Sequence, residues 1–340
     1  RSRSDLLSAL RVGARDYLMK PVEPKEVARR VRELLVEEQV PNVVPRVRLS
    51  TGQVIPGTSY RLTRWLGEGG MGTVYLGEHV DLGRPVALKI LRSEHFARRA
   101  AVDRFRLEAR ATASIGHPNI VDIFDLTRLD DGRLMIVMEF VEGHDGYDDV
   151  AQNGPMSPER VISVGRQLCK ALHAAHMAGI VHRDVKPDNV ILAEQDGRPD
   201  FVKLVDFGIA SIMKRGDDDD ERGCTPGYAP PEQILGEAFD GRLDIYALGC
   251  TLYHFLTGRP PHEGHPREIL RKQLELIPAR PSDVVEDVPP ALDDVLMRCM
   301  AKSREDRYAD MQDLEAALCE AQIASGLITG WDDLPLPEVE

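Results

Sequence analysis

The sequence predicts an α+β protein whose main body has two unequal lobes, a small antiparallel sheet carrying one helix and then a larger helical lobe. Three observations predict it. Apolar residues from Tyr60 to about Val141 are spaced mostly as in strands, with one helix over Ala100–Ala113. From Met156 to about Gln322 they recur at helical spacing, and a glycine-rich turn beginning near Gly67 joins two strand-like runs.

The chain has 340 residues, 42% hydrophobic and 29% charged, enough to bury a large core. A net charge of −13 disfavours nucleic acid and anionic membranes as partners. No apolar run approaches the ~18 residues that a membrane helix needs. Five scattered cysteines without a CxxC pair read as free thiols in a reducing compartment, so the expected location is the cytoplasm.

Residues 1–40 form the first element, a helical pattern on Leu6, Leu7 and Leu10, a short strand over Asp16–Met19, then Lys20-Pro21. A second helix follows from Glu23 to about Glu38, with Val27, Val31, Leu34 and Leu35 on one face. Residues 41–58, rich in proline and turn formers, read as a linker. The two-lobed body takes 59–322, and the acidic tail 323–340 is expected to be disordered.

Within the body, Leu66-Gly67-Glu68-Gly69-Gly70-Met71-Gly72-Thr73-Val74 carries three glycines in GxGxxG spacing. That spacing alone is weak, because dinucleotide-binding folds share it. Here a strand rather than a helix follows, which makes the loop a hairpin turn whose backbone N–H groups can approach phosphate. Val86-Ala87-Leu88-Lys89-Ile90 then places one lysine in an apolar strand, costly unless the ammonium meets an anion. Glu108, on the following helix, is the candidate carboxylate. On this window alone the alternative is a Lys89 that snorkels to solvent and a surface Glu108.

Further on, His182-Arg183-Asp184-Val185-Lys186-Pro187-Asp188-Asn189 is followed by Asp206-Phe207-Gly208. With these the chain resembles the eukaryotic-like (Hanks-type) Ser/Thr protein kinases of bacteria over roughly residues 60–320, and the resemblance implies a bilobal protein kinase fold. It implies that Asp184 accepts the proton of a substrate hydroxyl and that Lys186 neutralises the transferred phosphoryl group. Lys89, held by Glu108, would position the nucleotide phosphates. Asn189 and Asp206 would hold Mg²⁺, with Mn²⁺ as an alternative. ATP would dock on the hinge Glu139-Phe140-Val141 beside Met138, between Val74 and Ala87 above and Ile191 below, with Asp145 at the ribose. Lys186 together with Thr225 resembles the Ser/Thr branch. Glu232 would pair with Arg307 to fix the activation segment, and Asp244 would brace the catalytic loop. His173 and His176, three apart on a helix, read as packing residues rather than metal ligands.

Between Asp206 and Glu232 such kinases carry phosphothreonines that pair with the arginine before the base, here Arg183. This chain offers only Ser211 and Thr225, with five consecutive acids over Asp217–Glu221. The run is either a solvated face or a stand-in for phosphate against Arg183. Cys224 stands where glycine is usual, and nearby acids should blunt its thiol. Gly143–Val150, glycine-containing and acidic, departs from the leucine-bearing helix usual after the hinge.

Gly13-Ala-Arg-Asp-Tyr17-Leu-Met-Lys20-Pro21 resembles the end of a two-component receiver domain. Its upstream strands and phosphoacceptor aspartate are lacking, which leaves either a longer chain with a complete receiver or a receiver decayed into a docking remnant. Because Arg1 is not a start residue, the longer chain is expected. A histidine kinase would then be a partner, beside protein substrates. The rivals are a pseudokinase scaffold that binds ATP in a phosphorelay and a small-molecule kinase.

Overall fold

The computed structural model describes residues 50–68, 72–92, 99–195, 197–207 and 225–327. The chain divides into two units, Arg1–Arg48 and Leu49–Glu340. The receiver-like segment therefore lies outside the described residues, as do Gly69, Gly70, Met71, Ser211, the acids Asp217–Glu221, Cys224 and the tail from residue 328.

The small lobe is a five-stranded antiparallel sheet of β1 (Tyr60–Glu68), β2 (Gly72–His79), β3 (Arg84–Leu91), β4 (Ile123–Arg128) and β5 (Leu134–Glu139), in the order β1-β2-β3-β5-β4. Helix α1 (Arg99–Ala113) packs against it. β3 is covered on both faces, which explains its continuous apolar run. Val86, Leu88 and Ile90 point into one core with Ile55 and Leu62, while Ala87 and Leu91 face α1. Strand alternation puts Lys89 on that second face. On α1 the buried residues Ala101, Val102, Phe105, Ala109 and Thr112 recur at helical spacing, and Glu108 falls on the same stripe. Lysine and glutamate thus meet through two periodicities.

The stretch expected to be a linker contributes to this lobe at its end. Ile55 is buried in the core and its N–H donates to Tyr60 O at 2.8 Å, so residues 50–58 fold back on β1.

The large lobe holds α2 (Gly146–Asn153), α3 (Pro158–Met177), α4 (Pro231–Leu235), α5 (Arg242–Thr257), α6 (Pro266–Glu275), α7 (Pro290–Cys299) and α8 (Met311–Ala324). α5 is buried from Leu243 to Thr257, the mark of a helix at the centre of a lobe. A second sheet is made of β6 (Gly143–Asp145), β7 (Val190–Gln195) and β8 (Arg198–Leu204), the last two within the stretch expected to be helical. Its strands are too short for periodicity to identify. The catalytic loop runs into β7, and β8 leads to Asp206.

Candidate active site

Lys89 is 7% exposed and forms two ion pairs, with Glu108 Oε1 and Asp206 Oδ1, each at 2.7 Å. Burial alone would lower the lysine's pKa, but the two carboxylates outweigh it and hold the ammonium charged. Burial pushes the Glu108 carboxyl up. The Asp206 side chain stays 41% exposed, open to the space between the lobes.

Below the sheet, the catalytic loop is held by a carboxylate with no exposure of its own. Asp244 accepts the backbone N–H of His182 at Oδ2 and of Arg183 at Oδ1, each at 2.8 Å. His176 Nε2 also lies 2.8 Å from Asp244 Oδ2, so one of the two helical histidines packs against this brace. Arg183 adopts φ 71° and Asp206 φ 54°, left-handed conformations that such well-anchored segments sustain. The His182 ring sits 4.5 Å from that of Phe207, and its Nε2 lies 3.1 Å from Val205 O. This histidine ties the loop to the strand end that carries Asp206.

Asp184, Lys186, Asn189 and Thr225 converge. Lys186 Nζ lies 2.8 Å from Asp184 Oδ2 and donates to Thr225 Oγ1 at 3.0 Å. The Thr225 hydroxyl donates to Asp184 Oδ1 at 2.8 Å. Asn189 Nδ2 donates to Asp184 O at 2.7 Å, which turns its amide oxygen away from the loop. That oxygen and the Asp206 carboxylate are hard ligands of the kind that Mg²⁺ prefers, so the residues fit the ion.

Above lie the residues expected around the nucleotide. β1 and β2 form the hairpin read from the glycine pattern, with Gly67 opposite Val74 and Glu68 opposite Thr73, and Leu66 in an irregularity of the register. Val74, Ala87 and Met138 pack in one apolar cluster with Phe140 and Val205. Glu139 ends β5 opposite Val86, followed by Phe140 and Val141. On the lower side Ile191 lies in register with Asp145. Asp145 caps α2 by accepting the Asp148 N–H at 2.8 Å. Burial raises its pKa. The glycine at 143 has a structural reason, since a Cβ there would meet Leu192 O at 2.3 Å.

The activation segment is anchored at its end. Arg307 Nη1 and Nη2 donate to Glu232 Oε1 and Oε2 at 2.7 and 2.8 Å, a buried bidentate pair. Arg183 stacks over the Phe239 ring at 4.3 Å, and its Nε has no partner among the described residues. Sequence reasoning missed the pair Lys203–Glu139, at 2.8 Å, which ties the hinge to β8. No sequence signal singled it out, because Lys203 shares its strand with Arg198 and Asp200.

A small antiparallel sheet with a buried lysine–glutamate pair, set over a helical lobe whose loop presents an aspartate beside a lysine, defines the protein kinase class. A family model described as the protein kinase domain matches residues 60–318, and the chain belongs to that family. It is 45% identical over 265 residues to the serine/threonine-protein kinase Pkn1 of Myxococcus xanthus, covering 76% of this chain and 38% of that protein. To the serine/threonine-protein kinase PknE of Mycobacterium tuberculosis it is 39% identical over 265 residues, covering 76% of this chain and 45% of that one. The chain thus spans less than half the length of these two relatives. Among solved structures, the PknI kinase domain of Mycobacterium tuberculosis matches with a TM-score of 0.64 and 32% identity, over 80% of this chain and 99% of that one.

Proposed function

We propose that this domain transfers the γ-phosphoryl group of ATP to Ser/Thr hydroxyls of proteins. It is a Ser/Thr protein kinase, and the observation that carries the reading is Asp184 hydrogen-bonded to both Lys186 and Thr225. The acceptor hydroxyl would bond the Asp184 carboxylate beside Thr225, whose own hydroxyl holds Oδ1. Asp184 orients that oxygen for in-line attack and receives its proton. As the new O–P bond forms, the bond from the γ-phosphorus to the β–γ bridging oxygen breaks and ADP departs. Lys186, next to the aspartate, neutralises charge on the moving group, while Lys89, kept charged and fixed by Glu108, holds the remaining phosphates. Bound at Asn189 and Asp206, Mg²⁺ would neutralise phosphate oxygens. Adenine fits between Val74 and Ala87 above and Ile191 below, along Glu139–Val141, with Asp145 at the ribose.

The experiment is transfer of labelled phosphate from Mg·ATP to the protein itself and to a basic protein, for wild type and Asp184→Asn. Transfer that is lost in the variant is the expected result. Equal labelling in both, or ATP binding without transfer, would overturn the reading and leave a scaffold.

The wider reading is bacterial signal transduction in the cytoplasm, where ATP is available. Among the described residues no helix is long and apolar enough to cross a membrane. In this reading the receiver-like residues 1–40 belong to a complete receiver that a histidine kinase would phosphorylate.

A further inference from the structure

Helix α6 lies against the Pro226–Tyr228 turn and buries a single residue, a glutamine. Gln273 has no exposed surface. An amide buried without partners would cost about 1–3 kcal/mol, and this one has three. Oε1 accepts the Tyr246 hydroxyl, from α5, at 2.5 Å. Nε2 donates to Gly227 O at 2.8 Å and to Pro226 O at 3.3 Å. The orientation of the amide is determined by what stands behind it. Lys302 Nζ donates to the Tyr246 oxygen at 3.0 Å, so the tyrosine's own proton points at Gln273. The amide must then present its oxygen to Tyr246 and its NH₂ to the two carbonyls.

Those carbonyls belong to the turn that begins at Thr225, closed by the Tyr228 N–H donating to Thr225 O at 3.1 Å. The other side of the turn is held by the Tyr228 hydroxyl, 2.7 Å from His254 Nδ1 on α5. Thr225 in turn bonds Asp184 and Lys186. A chain of hydrogen bonds therefore runs from Lys302 through Tyr246, Gln273 and the turn to the proposed base. None of its members belongs to the glycine-rich hairpin, β3 or the hinge.

We propose that Gln273 is a positioning residue for the protein acceptor. By holding the Pro226 and Gly227 carbonyls it fixes the strip of backbone on which the acceptor lies, and so the distance of the acceptor hydroxyl from Asp184. The inference rests on the kinase reading and adds a residue outside the cleft to it.

The test uses Gln273→Leu, which keeps bulk without the amide, Gln273→Glu, and Tyr246→Phe, which removes only the hydroxyl. Gln273→Leu should raise KM for a peptide acceptor about tenfold with KM for ATP within about twofold, the loss of roughly 1.4 kcal/mol of acceptor binding. It should also speed amide exchange at 225–228 while α5 stays protected. Gln273→Glu should be worse, because a carboxylate faces two carbonyls with nothing to donate. Tyr246→Phe should shift the same way by a smaller factor, and it carries the test if the leucine variant does not fold. An unchanged acceptor KM with unchanged exchange overturns the proposal, as does a parallel rise in both KM values. If wild type and Asp184→Asn transfer no phosphate alike, the kinase reading fails, and the exchange at 225–228 still decides the role of Gln273.

Discussion

The Thr225 hydroxyl donates to Asp184 Oδ1 at 2.8 Å while accepting from Lys186 at 3.0 Å, across 41 and 39 residues of sequence. The contact makes Thr225 part of the catalytic geometry as well as a candidate phosphorylation site. A hydrogen bond to a charged partner is worth about 1.5–3 kcal/mol, so Thr225→Ala should lower kcat about tenfold to a hundredfold. Thr225→Ser keeps the hydroxyl and should stay near wild type. Steady-state kinetics on a peptide acceptor separate the two. An alanine variant with full kcat would reduce Thr225 to a bystander.

The two described glycines of the GxGxxG run are needed for different reasons, and the sequence reading assigned both to phosphate approach. A Cβ on Gly72 would lie 2.8 Å from Ile90 O, against the neighbouring strand, whereas one on Gly67 meets nothing within 4 Å. Gly72→Ala should therefore cost about 1–3 kcal/mol of stability, the usual penalty for overpacking, visible as a lower Tm. Gly67→Ala should leave Tm unchanged. If the open side of Gly67 receives the nucleotide, KM for ATP should rise about five- to tenfold, as expected for the loss of roughly 1–1.4 kcal/mol. Identical behaviour of the two variants would refute the distinction.

What was legible in the sequence was chemistry that demands fixed residue types at short spacing. Lys89 stands out because an ammonium in an apolar strand requires an anion, and the Asp184–Asn189 run because its loop is contiguous. The partners of these residues were harder to read. His176 and Asp244 are 68 residues apart, and only folding brings α3 against α5. Gln273 carries no signal in the sequence, since periodicity records where apolar residues fall and says nothing of a buried amide. The β6–β8 sheet went unread because its strands run to only three, six and seven residues, and β8 mixes its apolar residues with Arg198, Asp200 and Lys203.

Glu232 and Arg307 form a pair whose members should not be equally replaceable. The Arg307 side chain has 0% exposure, so Glu232→Ala strands a buried cation and should cost about 3–5 kcal/mol. Removing both charges would relieve a simple pair, but Arg307 also donates to the carbonyls of Ala301, Arg242 and Lys302. Glu232→Leu with Arg307→Met should therefore recover only part of the loss, because three carbonyls stay unsatisfied. Denaturant unfolding of the single and double variants measures this. A double variant as stable as wild type would show that those backbone bonds contribute nothing.

Asp244 makes the stability of the catalytic loop depend on pH in a definite direction. Burial alone would raise its carboxyl pKa, but hydrogen bonds and charge from His176, with His182 and the Arg183 N–H, hold it below the ordinary value. Folding thus favours the charged form. The stability it contributes is complete above the unfolded carboxylate pKa of about 4 and is lost as pH falls through the lower folded value. Asp244→Asn replaces an acceptor of two backbone N–H groups with a side chain that can satisfy only one. At neutral pH it should lower stability by about 1–3 kcal/mol. Below about pH 4 wild type progressively loses the same contribution, so the two unfolding curves should converge on acidification. A stability difference that stays constant from pH 7 to pH 3 would mean that the brace does not depend on the charge of Asp244.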